Sequence, residues 1–126
     1  MLIRVCLAKI HRATVTQADL NYVGSITIDQ ELLKKSGIQP FQMVNITNLS
    51  NGTLWQTYVI AGKKGDIILN GPPARHFQPG DKVIIIADAY IEPAELKDLN
   101  PVVVFVDDKN KATKVVKHKA VPVQRK

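Results

Sequence analysis

Tyr22-Val23-Gly24-Ser25-Ile26-Thr27-Ile28-Asp29 is the stretch around which the chain is organised, a glycine–serine pair set between an aromatic residue and a β-branched run. Glycine has no side chain, so the peptide before Ser25 can take a conformation closed to other residues and lie open to close approach. A hydroxyl next to an accessible carbonyl is a latent nucleophile. Taken alone, Gly-Ser is also a common turn dipeptide joining two strands. Its surroundings add more. Ile26-Thr27-Ile28 reads as a strand, and Asp29 as the N-cap of a short helix over residues 30–36. Gly37 closes that helix, with Lys34 and Lys35 in the last turn, where they suit the negative end of its dipole. The junction is therefore held between a strand and a capped helix, and is no floppy linker.

On the N-terminal side, residues 2–11 alternate as a strand does, placing Ile3, Val5, Leu7, Lys9 and His11 on one face and Arg12 on the other. Lys9 and His11 either meet a pocket at a sheet edge or emerge into solvent at the strand's end. Cys6, inside this apolar alternation, reads as a small core residue. As the single cysteine it excludes an intramolecular disulfide framework, and no Cys/His spacing resembles a metal site. Residues 13–16 read as a second short strand, and 17–23 as the connection that delivers Gly24-Ser25.

On the C-terminal side, residues 43–47 read as a strand, and Asn51-Gly52 is the strongest short-range hairpin signal in the chain. On a regular returning strand, Leu54, Gln56, Tyr58 and Ile60 face one way and Trp55, Thr57 and Val59 the other. Thr57 and Tyr58 can serve one site only if that strand bends or bulges, or if the site lies at its edge. Further strands are expected at 67–69, at 82–89 as a central strand, and at 102–106. Turns are expected at Asn70-Gly71-Pro72-Pro73 and 107–110, and a helical turn or two at 92–97. A basic extension over about 109–126 carries a strand-like Val121-Pro122-Val123. Many short strands at turn-punctuated intervals predict a small closed β-barrel.

A chain of 126 residues makes a single domain with one core. With 45% hydrophobic and 22% charged residues it is no disordered chain. It has neither an apolar run long enough to span a membrane nor the features of a secretory signal, so the expected compartment is the cytosol, with no membrane partner. The net charge of +6 is concentrated late, in Lys109, Lys111, Lys114, Lys117, His118, Lys119, Arg125 and Lys126. A solvated basic tail accounts for it, and attraction of an anionic substrate is compatible. Nucleic acid is not expected as a partner, since only 6% of residues are aromatic and few could stack on bases.

The junction has specific company: Lys9-Ile10-His11-Arg12 and Ala18-Asp19-Leu20 before it, Asn51-Gly52, Thr57-Tyr58 and Asn70-Gly71 after it. In order and nearly in spacing, over residues 2–87, these resemble the pyruvoyl-dependent aspartate 1-decarboxylases. The resemblance implies a mainly β fold, a six-stranded double-psi β-barrel with one or two short helices, assembled as a homotetramer with sites at subunit interfaces. It implies that Ser25 attacks the Gly24 carbonyl, that an ester replaces the peptide bond, and that elimination leaves a pyruvoyl group on the new N-terminus. The chain would become residues 1–24 and 25–126, spontaneously or with a maturation factor. Decarboxylation leaves electrons on the α-carbon that no ordinary side chain accepts. A carbonyl joined to the substrate amine as a Schiff base supplies the sink.

By the same resemblance, Thr57 contacts substrate and aids processing, and Tyr58 donates the proton that replaces carbon dioxide. Lys9 binds a substrate carboxylate, His11 and Tyr22 line the pocket, and Asn70, Gly71, Pro72 and Pro73 border the substrate. Read from the residues alone, Tyr58 is equally a barrel aromatic and Asn70-Gly71 a plain turn. The implied activity is conversion of L-aspartate to β-alanine and carbon dioxide for pantothenate and coenzyme A synthesis. Two residues depart from the family. Leu54 stands where an arginine usually grips a carboxylate, a contact of about 1.5–3 kcal/mol, with Lys9, Arg12 and Arg75 as possible substitutes. Pro72-Pro73 replaces small alanines and removes backbone donors. The alternatives are the same pyruvoyl chemistry on a less acidic or β-substituted amino acid, and a non-catalytic basic β-barrel binding module.

Overall fold

The computed structural model describes residues 1–119 and is built mainly of strands. In chain order these are β1 (Ile3–Thr14), β2 (Ser25–Asp29), β3 (Met43–Asn48), β4 (Leu54–Gly62), β5 (Ile67–Asn70), β6 (Lys82–Ile91), β7 (Val102–Val106) and β8 (Ala112–Lys117). One α-helix, α1 (Gln30–Ser36), and two 3-10 helices, Pro72–Arg75 and Pro93–Asp98, complete the fold. The sheet runs β5-β2-β4-β3-β6-β1-β7-β8.

Its first six members form the barrel expected from the sequence. After β1, the chain turns back along β5: the Thr16 N–H donates to Ile67 O at 2.8 Å, the Leu69 N–H to Gln17 O at 3.0 Å and the Gly71 N–H to Asp19 O at 2.8 Å. A parallel bridge joins Gln17 to Ile68. These bonds bring β1 and β5, the ends of the six-strand run, together, so neither is left as an open edge. Ile10, Val15, Ile26, Ile28, Val44, Ile46, Leu69, Phe77 and Ile85 are fully buried inside. Each such side chain contributes about 1.5–3 kcal/mol on leaving water. The hairpin β7–β8 extends the sheet beyond β1, so part of the basic C-terminal stretch is a paired strand. Val121-Pro122-Val123 lies outside the described residues.

The helix ends follow the sequence closely. Asp29 Oδ1 accepts the Glu31 N–H at 2.7 Å, and Gly37, at φ +80°, donates its N–H to Leu33 O. Gly52 takes φ +74° in the β3–β4 turn. Strand β6 is central as expected, between β3 and β1, but only Val83, Ile85 and Ala87 are fully buried while Ile84 and Ile86 are half-buried.

Strand β1 departs from the expected alternation. It runs unbroken to Thr14, and its register against β6 slips twice: Cys6 pairs with Asp88 but Ala8 with Ala87, and Ile10 pairs with Ile85 but Ala13 with Val83. Each slip inserts an extra residue, the second containing Arg12 at φ +63°. An extra residue moves every later side chain to the opposite face. The core side of β1 is accordingly Ala8, Ile10 and Ala13, continued by Val15 just past its end, and Lys9 and His11 do not continue the Ile3-Val5-Leu7 stripe into the core. Cys6 is exposed and not a core residue, since it precedes the slip on the outward side. Among the described residues no helix is long and apolar enough to cross a membrane.

Candidate active site

Ser25 is the first residue of β2 and is only 3% exposed. On one side it pairs with Asn70 of β5. On the other, the pairing of β2 with β4 begins one residue later, at Ile26 and Val59, the residues that follow Ser25 and Tyr58. Here β4 changes partner: residues 54–58 pair with β3, and β2 joins its other side only from Val59 onward. The register of β4 against β3 shows no bulge. Of the conditions under which Thr57 and Tyr58 could serve one site, the one met is therefore the edge: both residues are half-buried where β2 begins. Phe41, to which no sequence signal points, holds φ +68° and stacks on Tyr58 with ring centroids 6.0 Å apart.

The backbone around the junction is clasped rather than free. Asn70 Oδ1 accepts the Asp19 N–H at 3.0 Å, and the Gly71 N–H returns to Asp19 O. Gly71 stands at φ +77° and ψ −147°, a conformation essentially restricted to glycine. A Cβ placed there would lie 2.7 Å from Gly24 Cα, 2.9 Å from Gly24 N and 3.1 Å from Tyr22 O. The special backbone expected at Gly24 is thus found at Gly71: Gly24 is absent from the positive-φ residues, and its own Cβ would meet Pro72 Cδ at 3.4 Å. Pro72 opens the 3-10 helix that seats this contact, and Pro73 is buried behind it.

One chain does not bring all the expected residues together. Gly24, Ser25, Asn70, Gly71 and Pro72 are contiguous, with Tyr22 exposed on the same loop and Thr57-Tyr58 on the adjoining strand. Lys9 and His11 lie on β1, which has no direct pairing with β2: β4, β3 and β6 stand between them along the sheet, and β5 where the barrel closes. His11 packs edge-on against Phe105, centroids 5.4 Å apart, and its buried Nδ1 has no hydrogen-bond partner. Burial, then the charges of Lys9 and Arg12, lower its pKa. Leu54 is 74% exposed on the outward side of β4. Two clefts, of about 460 and 240 Å³, lie elsewhere, and Ser25 lines neither.

Fold and junction define the class: a small β-barrel built around a glycine–serine junction at the head of a strand. The family model for aspartate decarboxylase matches residues 1–113, and the chain belongs to that family. It is 54% identical to the aspartate 1-decarboxylase of Lactiplantibacillus plantarum over 94% of this chain and 92% of that protein. With the aspartate 1-decarboxylase of Carboxydothermus hydrogenoformans it shares 55% identity over 91% of this chain and 92% of the relative. With that of Campylobacter hominis it shares 52%, over 89% and 98%.

Proposed function

We infer that the chain is a carboxy-lyase that converts L-aspartate to β-alanine and carbon dioxide, a step toward pantothenate and coenzyme A, after cutting its own backbone between Gly24 and Ser25. The family depends on a pyruvoyl group, which supplies an electron-withdrawing carbonyl for the carbanion that decarboxylation creates. The residues around Ser25 fit a group made from that serine: Ser25 is shielded from water at a strand end, flanked by Asn70 and the register position of Tyr58. The observation that carries the inference is the Gly24–Gly71 clasp, which fixes the peptide before Ser25 so that its carbonyl and hydroxyl keep one relative geometry.

In the cleavage step the Ser25 Oγ forms a bond to the Gly24 carbonyl carbon, and the carbon–nitrogen bond breaks to leave an ester. Elimination then releases the carboxylate of Gly24, and water takes the place of the serine nitrogen, which leaves as ammonia. Residues 1–24 and 25–126 are the resulting chains. Thr57 offers a hydroxyl to the developing oxyanion. Tyr58 supplies the proton to the α-carbon once carbon dioxide has left, and Asn70, Gly71, Pro72, Pro73 and Tyr22 border the substrate. Lys9 binds a substrate carboxylate beside His11. The site is completed between subunits of a homotetramer. The exposed apolar side chains of Tyr22, Val23, Phe41, Met43, Leu54 and Tyr90 support such an interface. The setting is cytoplasmic, and cleavage proceeds alone or with a maturation factor.

The test is β-alanine production from L-aspartate by the purified chain. Activity that disappears in Ser25→Ala, and falls about a hundredfold or more in Tyr58→Phe, is expected. Full activity in Ser25→Ala would overturn the inference.

A further inference from the structure

The cleft of about 460 Å³ opens at the opposite end of β2 from Ser25, where α1 begins, beside the β4–β5 loop and the β7–β8 turn. Its lining collects Lys35, Lys64, Lys109 and Lys111 from three separate parts of the chain, together with the apolar Leu32 and Ala112. Among the described residues none of these four lysines is in an ion pair. The two carboxylates of the lining are already engaged. Asp29 accepts backbone N–H bonds from Glu31 and Gly65, and Glu31 is 3.8 Å from Lys34. Four lysines against two carboxylates leave the lining with an excess of positive charge, which raises the local potential and favours an anion.

The cleft is also rigidly framed. Asn110, fully buried at φ +63°, accepts the Thr14 N–H at 2.7 Å and donates to Thr14 O and Gly65 O at 2.8 and 2.9 Å. Asp107 accepts the N–H groups of Lys109 and Lys111, which fixes the turn that carries both. Asp29, Gly65 and Asn110 thereby tie all three walls together before any ligand arrives, which lowers the cost of binding. The volume falls within the roughly 300–1,000 Å³ usual for small-molecule sites. Lysine supplies point charges suited to phosphate, whereas bidentate carboxylate recognition favours arginine, and no arginine lines the cleft.

We propose that this cleft binds a small organic anion carrying two or more phosphate groups, its charges on Lys35, Lys64, Lys109 and Lys111 and its uncharged part against Leu32 and Ala112. The site is separate from the cleavage junction and does not depend on it.

Isothermal titration calorimetry of the full chain with adenosine diphosphate and with inorganic pyrophosphate, at low ionic strength, tests it. One saturable site per chain is expected for each probe. Lys64→Ala and Lys109→Ala each weaken binding about fivefold, and the quadruple alanine variant of the four lysines loses it. Lys114→Ala/Lys117→Ala on β8, outside the cleft, leaves it unchanged. Absence of saturable binding would overturn the proposal. So would an equal loss in the β8 variant, which would mean diffuse attraction to a basic surface.

Discussion

Gly71 and Gly24 touch backbone to backbone: no Cβ fits on Gly71 without coming within 2.7 Å of Gly24 Cα. This single approach ties the peptide before Ser25 to β5 and to the 3-10 helix behind it. Gly71→Ala must both leave φ +77° and push Gly24 away. A loss of about 1–3 kcal/mol is expected, with self-cleavage slowed about tenfold or more. Chemical denaturation of the purified variant and a time course of chain cleavage measure the two effects.

Leu54 leaves the position of a carboxylate-gripping arginine with an exposed aliphatic side chain. Leu54→Arg should lower the KM for L-aspartate about tenfold with little change in kcat. An unchanged KM would mean that another cation, Arg75 or Lys9 among them, already holds that carboxylate.

The surroundings of His11 set the sign of a pH dependence. Its folded pKa is lowered, by burial first and then by Lys9 and Arg12, relative to an ordinary value of about 6.5. The unfolded chain therefore binds a proton more readily than the folded one. This contribution to stability is present above about pH 6.5 and is lost as pH falls from there through the folded pKa. Melting temperature should decline over that window, and His11→Phe should remove this part of the decline.

Asn110 joins β1, the β4–β5 loop and the β7–β8 turn through three hydrogen bonds. Asn110→Ala should cost about 2–4 kcal/mol, from buried groups left unpaired and from the positive φ. Asn110→Gly relieves the backbone and isolates the hydrogen bonds. Urea unfolding should still show a loss of about 1.5 kcal/mol or more for the glycine variant, and no loss would assign the whole effect to conformation.

What could be read from the sequence was local. Asp29 and Gly37 bound α1 because caps are set by residues a few positions apart, and Asn51-Gly52 marks its turn because only certain residues accept positive φ. Ser25, Asn70 and Tyr58 were named from an ordered resemblance; the register pairs Ser25 with Asn70, and β2 joins β4 at Val59, the residue after Tyr58. The reversal at Lys9 and His11 could not be read in this way. The extra residues in β1 are fixed by pairing with distant β6, where Ile10 meets Ile85 and Ala13 meets Val83, and leave no trace in local periodicity. The same holds for the lysine cleft, since Lys35 and Lys64 are unremarkable until folding sets them beside Lys109 and Lys111.

A denaturing mass spectrum of the purified chain tests self-cleavage most directly. Two pieces should appear, residues 1–24 and a larger piece beginning at position 25 with a blocked N-terminus, and Ser25→Ala should remain whole. An intact wild-type chain that nevertheless decarboxylates L-aspartate would contradict the account.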